Sequence, residues 1–558
     1  ITSRTGSTST PRMGILPFGA PSLPFGTAQF NGEVSATEAG LNVLFVTADQ
    51  WRADHLDLDG TGPVPTPNLA AFARESTVFL RHFGQAAPCG PARASLYTGT
   101  YLFNHRSVTN GTPLDWTLTN LALELDKAGY APTLFGYTDT SADPRILPAD
   151  DPRLTSYEGV LPGFRVGLLL PEAAGPWLDH LARRGYGRMT VEEAYDRPWF
   201  EPAPWRAEDS ETAFLVDEAL AWLARQPKGR PWALHLSLIK PHPPWIAAAP
   251  WCRLVDPRRT RPPLRAPSVE EQAGLHPLVA GWLAQPFKGS LDPSLAGKGP
   301  PGLDAATIAR LRAVYAGLVA EVDHHIGRLF AAIRARSEWE RTLVVVTSDH
   351  GELLGDHWLL GKGAFFPPTF HVPCLVRDPR MPGGHGCRVA EPTEHVDLVP
   401  TILEALGRPV PLQCDGRSLS AFLTGERPAR WRRAAHMELD FRDGEDPGLA
   451  AALGLGPEDC GLAVDLDERW GCVRFAGLPP ILVDRHADPA WTRNLAETEE
   501  GRDALLAATG RLLERRMAKA DRRLSGCRLG PRGVGGVYDP LPPLPAGAVP
   551  LAVGPTRA

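Results

Sequence analysis

The chain has 558 residues, a formal net charge of −6, 43% apolar and 22% charged residues, the composition of a globular protein long enough for two or more cores. It has no Lys/Arg-rich run and no stretch of 18 apolar residues, so neither nucleic acid nor a membrane is expected as a partner. The eight cysteines are widely spread without a CxxC pair, which argues against a zinc ribbon and a dense disulfide framework and points to a reducing, cytoplasmic location.

Residues 1–40 are rich in Gly, Pro and Ser and lack periodicity, so they are read as an irregular extension. Those before Met13 resemble vector or linker sequence, and the stretch Met13–Pro17 is broken too early by proline for a signal peptide. The apolar run Leu41–Thr47 suits a buried strand and ends at Asp49-Gln50. Helical patterning follows over Asn68–Glu75, with Pro67 just before it, and over Leu121–Ala128, which leads into a strand around Pro132–Phe135. Trp232–Leu238 reads as a strand, Ala305–Ala335 as a long helix, and Thr342–Thr347 as a strand that ends at Asp349-His350. This alternation predicts an α/β domain over residues 41–423, with a mostly parallel central sheet flanked by helices. Short strands near His436–Phe441, Arg469–Phe475 and Pro480–Val483, then a helix from about Glu500 to Lys519, predict a smaller C-terminal α+β domain over residues 424–528. The Gly/Pro-rich tail, residues 529–558, is expected to wrap over another surface or another subunit.

Two strand ends look alike: Val46-Thr47-Ala48-Asp49-Gln50 and Val346-Thr347-Ser348-Asp349-His350. Sites in open α/β sheets form beyond the carboxyl ends of strands. Either aspartate alone reads as a turn or cap residue; the repeated form singles the pair out. If the strands are neighbours, two carboxylates, an amide oxygen and an imidazole meet at one edge. That mixed O/N set suits Mn²⁺ or Zn²⁺, with Ca²⁺ a further alternative.

Cys89-Gly90-Pro91-Ala92-Arg93 precedes Ala94-Ser95-Leu96-Tyr97-Thr98-Gly99. A chain of this composition yields roughly 0.1 accidental C-x-P-x-R matches, so the five residues alone are only suggestive. Followed by Leu-x-Thr-Gly, however, the segment resembles the signature of the sulfatase family in the alkaline phosphatase superfamily. The resemblance continues in order through Thr66-Pro67-Asn68-Leu69, Pro241-His242-Pro243-Pro244, Ser348–Glu352 with Leu354–His357, and Leu360-Gly361-Lys362. It extends to Val396–Thr401, Asp415–Leu419, Pro479–Asp484 and Asn494-Leu495-Ala496.

The resemblance implies an alkaline-phosphatase-like large domain and the following roles. Cys89 would be oxidised to formylglycine by a formylglycine-generating enzyme, and the hydrated aldehyde would be the nucleophile. Asp49, Gln50, Asp349 and His350, with the modified Cys89, would hold one divalent metal ion. Arg93 would stabilise the modified Cys89. Lys362 and His242 would counter charge on the ester oxygens and help the leaving group depart.

Ordinary sulfatases usually carry Asp-Asp at the first metal strand and often Asp-Asn at the second. Asp49-Gln50 and Asp349-His350 instead resemble the phosphonate monoester hydrolase and phosphodiesterase branch, as does Ala94–Arg106. Gly136-Tyr137-Thr138-Asp139 stands where many sulfatases have Gly-Lys-x-His. Tyr137 is therefore expected at the catalytic centre, with Thr138 and Asp139 against substrate. A carboxylate at Asp139 is unfavourable beside an anionic ester unless it is protonated or paired, or meets a cationic part of the substrate. The implied activity is hydrolysis of phosphonate monoesters and phosphodiesters with sulfatase side activity. The alternatives are an arylsulfatase with secondary diesterase activity and a non-catalytic binding member of the fold. The branch also implies a homo-oligomer, tetramer or dimer, bridged by the tail.

Overall fold

The computed structural model describes residues 40–198, 201–285, 299, 302–442, 448–531, 533–545 and 547–548. Residues 1–39 of the extension and the last ten residues lie outside that set, and with them the readings placed there.

Eight strands form the central sheet: β1 (Asn42–Ala48), β2 (Thr77–Phe79), β3 (Thr133–Gly136), β4 (Arg165–Leu169), β5 (Ala233–Leu238), β6 (Thr342–Thr347), β7 (Cys374–Arg377) and β8 (Arg388–Val389). Their spatial order is β8-β2-β7-β6-β1-β5-β3-β4. Only β7 runs antiparallel to its neighbours, so the sheet is mostly parallel, as the alternation of strands and helices predicts. Strands β1 and β6 are adjacent and parallel, with Val46 opposite Val346 and Thr47 opposite Thr347. The two similar sequence segments therefore end at the same edge of the sheet.

Alternate strand residues enter two different cores, the signature of a sheet covered on both faces. Leu44, Val46, Val344 and Val346 pack on one side with Ile308, Leu311, Val319 and Ile326 of the long helix α5 (Ala305–Ala335). Val43, Phe45, Leu343 and Val345 pack on the other with Ala94, Leu96 and Tyr97 of α2 (Cys89–Thr98). Helices α1 (Pro67–Ala73), α3 (Leu121–Lys127) and α4 (Glu211–Arg225) fill the layers. Helix α5 starts where the Asp304 side chain accepts from the Thr307 amide at 2.7 Å, which satisfies one of the orphan N–H groups of its first turn.

Beyond residue 434 the chain forms a four-stranded antiparallel sheet of β9 (Ala435–Asp440), β10 (Gly461–Leu466), β11 (Trp470–Phe475) and β12 (Ile481–Asp484). Strand β10 has no counterpart in the sequence reading. Helix α6 (Arg502–Lys519) lies against this sheet and buries Ala508 and Leu512, with Arg511 paired to Asp465 and Asp467. Met437, Val464 and Val473 share one core with Phe83, Leu353 and Phe365, so the sheet is packed onto the segment that carries the second strand end. The described part of the tail runs over its own chain: Asp539 accepts from the amides of Leu412 and Gln413 at 2.8 Å.

Candidate active site

Helix α2 begins at Cys89, and all ten of its residues are buried. Asn110 fixes this end by accepting from the Gly90 amide at 2.8 Å. The ligand atoms of Asp49, Cys89, Asp349 and His350 all lie within 4.8 Å of one another. They come from the ends of β1 and β6 and from the start of α2, as the paired strand ends require.

One turn along α2 from Cys89, Arg93 is wholly buried and clamps both carboxylates. Its Nε donates to Asp349 Oδ2 at 2.9 Å and its Nη2 to Asp49 Oδ2 at 3.0 Å. Its Nη1 donates to Ser237 Oγ at 2.8 Å and to the Tyr137 carbonyl at 3.2 Å. The guanidinium lies 4.5 Å from the Tyr137 ring centroid. The resemblance aims Arg93 at the modified Cys89; in the structure its donors are committed to the carboxylates that flank that residue. It thus fixes the two carboxylates beside Cys89. Gly136 makes the turn into Tyr137 possible: its φ is +106°, and a Cβ there would stand 2.0 Å from the Ser237 carbonyl.

Tyr137 donates to Asp49 Oδ2 at 2.6 Å, and burial together with Asp49 pushes its own pKa well above the usual phenol range. Asp49 Oδ1 is buried without a hydrogen-bond partner among the described residues. His350 Nδ1 donates to the Gly351 carbonyl at 2.9 Å, which leaves Nε2 to accept from the Cys89 thiol at 3.2 Å, 3.7 Å from Asp49 Oδ1 and from Asp349 Oδ2. Burial lowers the pKa of His350 and keeps it neutral. An orphaned carboxylate oxygen, an oriented neutral imidazole and a second carboxylate converge here, a donor set that fits a divalent cation.

The Gln50 backbone adopts φ +69°. Its side-chain oxygen accepts from Lys362 Nζ at 2.8 Å, and its Nε2 donates to Glu352. The amide oxygen that the sequence reading assigned to a metal accepts here from the Lys362 ammonium. Lys362 also hydrogen-bonds Cys89; burial works against its charge, but Cys89 and Asp49 carry its pKa above the ordinary lysine range. Burial and Asp49 push the Cys89 thiol well up, so an unmodified Cys89 is a protonated, poor nucleophile.

The floor of the site, Asp49, Asp349 and His350, is closed to solvent, whereas His242 and Lys362 are half-buried at its rim. His242 Nδ1 donates to the Pro243 carbonyl at 2.7 Å. Burial, with Lys362 adding to it, pushes its pKa down to about 3. His242 is therefore neutral with Nε2 as an acceptor, and of the two residues expected to counter anionic charge Lys362 is the cation. Asp139 is 3% exposed, with Oδ1 unpartnered among the described residues. Burial moves its pKa up to about 7, so the protonated form anticipated for a carboxyl near an anion is within reach at neutral pH. Thr138 departs from the expected substrate contact. Its hydroxyl donates to the Gly159 carbonyl and accepts from the Leu161 amide, both at 2.8 Å, so it braces a neighbouring loop.

Ser237, Asn110 and Glu352 hold the site together without having been singled out as site residues. So does Asp356, which takes Arg52 Nη1 at 2.8 Å, Arg312 and the Leu264 amide at 2.7 Å. Asp356 was visible only as part of the matched Leu-Gly-Asp-His segment.

Residues 41–408 match the sulfatase family. The chain is 38% identical over 513 residues to the multifunctional alkaline phosphatase superfamily protein PehA of Trinickia caryophylli, covering 88% of this chain and 98% of that protein. An arylsulfatase of Clostridium perfringens is 26% identical, with 73% and 82% covered. The crystal structure of the phosphonate monoester hydrolase of Agrobacterium radiobacter is similar with a TM-score of 0.84 and 40% identity, over 89% of this chain and all of that one. The phosphonate monoester hydrolase SpPMH of Silicibacter pomeroyi gives 0.83 at 40% identity, with 89% and 100% covered. With its family matched across the sheet, the Cys89 helix and both strand ends, the chain belongs to the sulfatase family of ester-hydrolysing enzymes in the alkaline phosphatase superfamily.

Proposed function

We propose that the protein hydrolyses phosphonate monoesters and phosphodiesters, with sulfate esters as promiscuous substrates, and that its nucleophile is a formylglycine formed from Cys89. The observation that carries this reading is the near full-length likeness to two phosphonate monoester hydrolases at 40% identity, in a chain whose site presents Gln50, Tyr137 and His350.

The charge inventory supports it. Arg93 is neutralised by Asp49 and Asp349, and the hydroxyl of Tyr137 is committed to Asp49. Lys362 is then the side-chain cation beside Cys89 that an ester oxygen can meet. Phosphonate monoesters, phosphodiesters and sulfate esters all carry such an oxygen.

Asp49, Asp349 and His350, with Gln50 and position 89, would hold the cation, Mn²⁺ or Zn²⁺ by donor type. When bound it supplies Lewis acidity at a non-bridging oxygen. A hydrated formylglycine offers two hydroxyl groups on one carbon, which neither Cys nor Ser does. Lys362 opposes charge that grows on the ester oxygens. Arg93 and Tyr137 keep Asp49 in one orientation. His242 offers an acceptor at the rim, and neutral Asp139 offers a donor.

Maturation by a formylglycine-generating enzyme, a reducing cytoplasmic location and homo-oligomerisation belong to the same proposal. Cys89, Cys252, Cys374, Cys387, Cys414, Cys472 and Cys527 form no disulfide. Leu506, Leu513 and Met517 of α6 are 73%, 58% and 73% exposed, a surface of the kind that subunit contacts cover.

Turnover of matched aryl phosphonate monoesters, phosphodiesters and sulfates by the same preparation tests the reading. Higher kcat/KM for the two phosphorus esters is expected. A clear preference for the sulfate would make the enzyme an arylsulfatase with secondary diesterase activity.

A further inference from the structure

Two backbone hydrogen bonds and burial leave the Gln50 side chain a single remaining freedom. Its amide N–H donates to Asp349 Oδ1 at 3.1 Å, its carbonyl accepts from Tyr315 Oη at 2.6 Å, and the residue is 1% exposed. The backbone is therefore fixed on both sides. What is not fixed by packing is which end of the carboxamide faces the ligand cluster, because the oxygen and nitrogen ends have nearly the same shape.

The two partners of that amide settle the choice by chemistry. The Glu352 carboxylate accepts hydrogen bonds and cannot donate them; the Lys362 ammonium donates and cannot accept. Glu352 takes Gln50 Nε2 on one side, and Lys362, which also bonds Cys89, supplies a proton to Gln50 Oε1 at 2.8 Å on the other. The opposite orientation would set two donors together at Lys362 and two acceptors together at Glu352.

Glu352 has no solvent exposure and is itself rigidly held. Its Oε1 accepts from the Leu354 amide at 3.0 Å and from the Gly361 amide, the residue before Lys362. Its carbonyl accepts from Arg52 Nη1 at 3.1 Å. One carboxylate thus touches the end of β1, the segment after β6 and the loop that presents Lys362.

We propose that Glu352 is a positioning residue that polarises the choice of Gln50 orientation, keeping the amide oxygen on the side of Asp49, Asp349, His350 and Cys89, and that it anchors the Lys362 loop through Gly361. The proposal rests on the reading of that cluster as a divalent cation site. An amide nitrogen turned toward a cation contributes no ligand, so loss of the carboxylate weakens cation binding even where the fold is retained.

The test is cation affinity of the full-length protein, stripped with chelator and titrated with Mn²⁺ alone against a competing indicator. Three proteins are compared: the parent, Glu352→Gln, and the swap Gln50→Glu with Glu352→Gln. A glutamine at 352 can donate or accept, so it no longer discriminates between the two orientations. A loss of about 10- to 100-fold in affinity is expected. The swap conserves volume and net charge, and both oxygens of a carboxylate at position 50 are acceptors, so no orientation has to be chosen. It is expected to recover affinity to within about threefold of the parent. Recovery separates positioning from general loss of packing, because a destabilised segment gains nothing from the second change. Glu352→Gln binding Mn²⁺ as the parent does, or a swap no better than the single variant, overturns the inference. A parent that takes up no divalent cation overturns the cation-site reading, and the inference with it.

Discussion

Tyr137 and Asp49 are joined by a hydroxyl-to-carboxylate hydrogen bond of 2.6 Å. The bond crosses from the end of β3 to the end of β1, over the carboxyl end of β5 that separates them in the sheet. It leaves Asp49 Oδ2 saturated by Tyr137 and Arg93, with Oδ1 unpartnered among the described residues. Tyrosine at this position therefore orients the Asp49 carboxylate.

Tyr137→Phe removes that bond and keeps the ring under Arg93. A hydrogen bond to a charged group contributes about 1.5–3 kcal/mol, so kcat/KM should fall about 10- to 100-fold. Steady-state kinetics together with bound-metal analysis check it; unchanged kinetics would remove Tyr137 from the machinery.

Arg93→Ala leaves two buried carboxylates side by side without their shared cation. Breaking a buried pair in this way costs roughly 3–5 kcal/mol, and the metal-free protein should lose that much in urea unfolding. Arg93→Lys should recover only part of it, because one ammonium cannot reach Asp49, Asp349, Ser237 and the Tyr137 carbonyl together.

Asp139 carries a pH signature. Its pKa rises from 3.8 to about 7 on burial, so in that interval the folded protein holds a proton that the unfolded chain has released. Its stabilising contribution is complete below the unfolded value and is lost as pH rises through about 7. Asp139→Asn should match the parent near the lower end of that window and be the more stable protein above it. If Asp139 lies against the ester, as proposed, the variant should also lose an alkaline limb in kinetics, because above about 7 the parent carries a carboxylate there. Urea midpoints and pH–rate profiles of the two proteins read both effects.

Much of this arrangement was legible in the sequence, and its gaps have physical causes. The runs Val43–Thr47 and Thr342–Thr347 are apolar because both sheet faces are covered, so each strand was visible alone. Their adjacency is only a condition in the sequence, because pairing across 300 residues leaves no local trace. Strand β10 was passed over: Asp465 inside it looks like a loop residue, yet it is buried against Arg511. The alternation Leu462, Val464, Leu466 was the available signal. Cys89, Asp49, Asp349 and His350 were nameable from motifs, and the structure brings them together. The Thr138 hydroxyl bonds Gly159 and Leu161, and partners in a distant loop cannot be read from its neighbours in the chain. Ser237, Asn110 and Glu352 carry no motif of their own that reports which groups they hold.

Lys362→Met should lower kcat by about 100- to 1,000-fold, the usual consequence of removing a preorganised charge from the reacting oxygens. It should leave Mn²⁺ binding largely intact, since Lys362 donates to Gln50 and Cys89 and is not itself a ligand. A variant that loses the metal instead would make Lys362 a structural support.

Mass spectrometry of the Cys89 peptide, in preparations whose specific activity is measured in parallel, is the most direct test. If Cys89 is the precursor of the nucleophile, activity should scale with the fraction of peptide carrying an aldehyde in place of the thiol, and Cys89→Ala should be inactive. Full activity in protein whose Cys89 is an unmodified thiol would contradict the account.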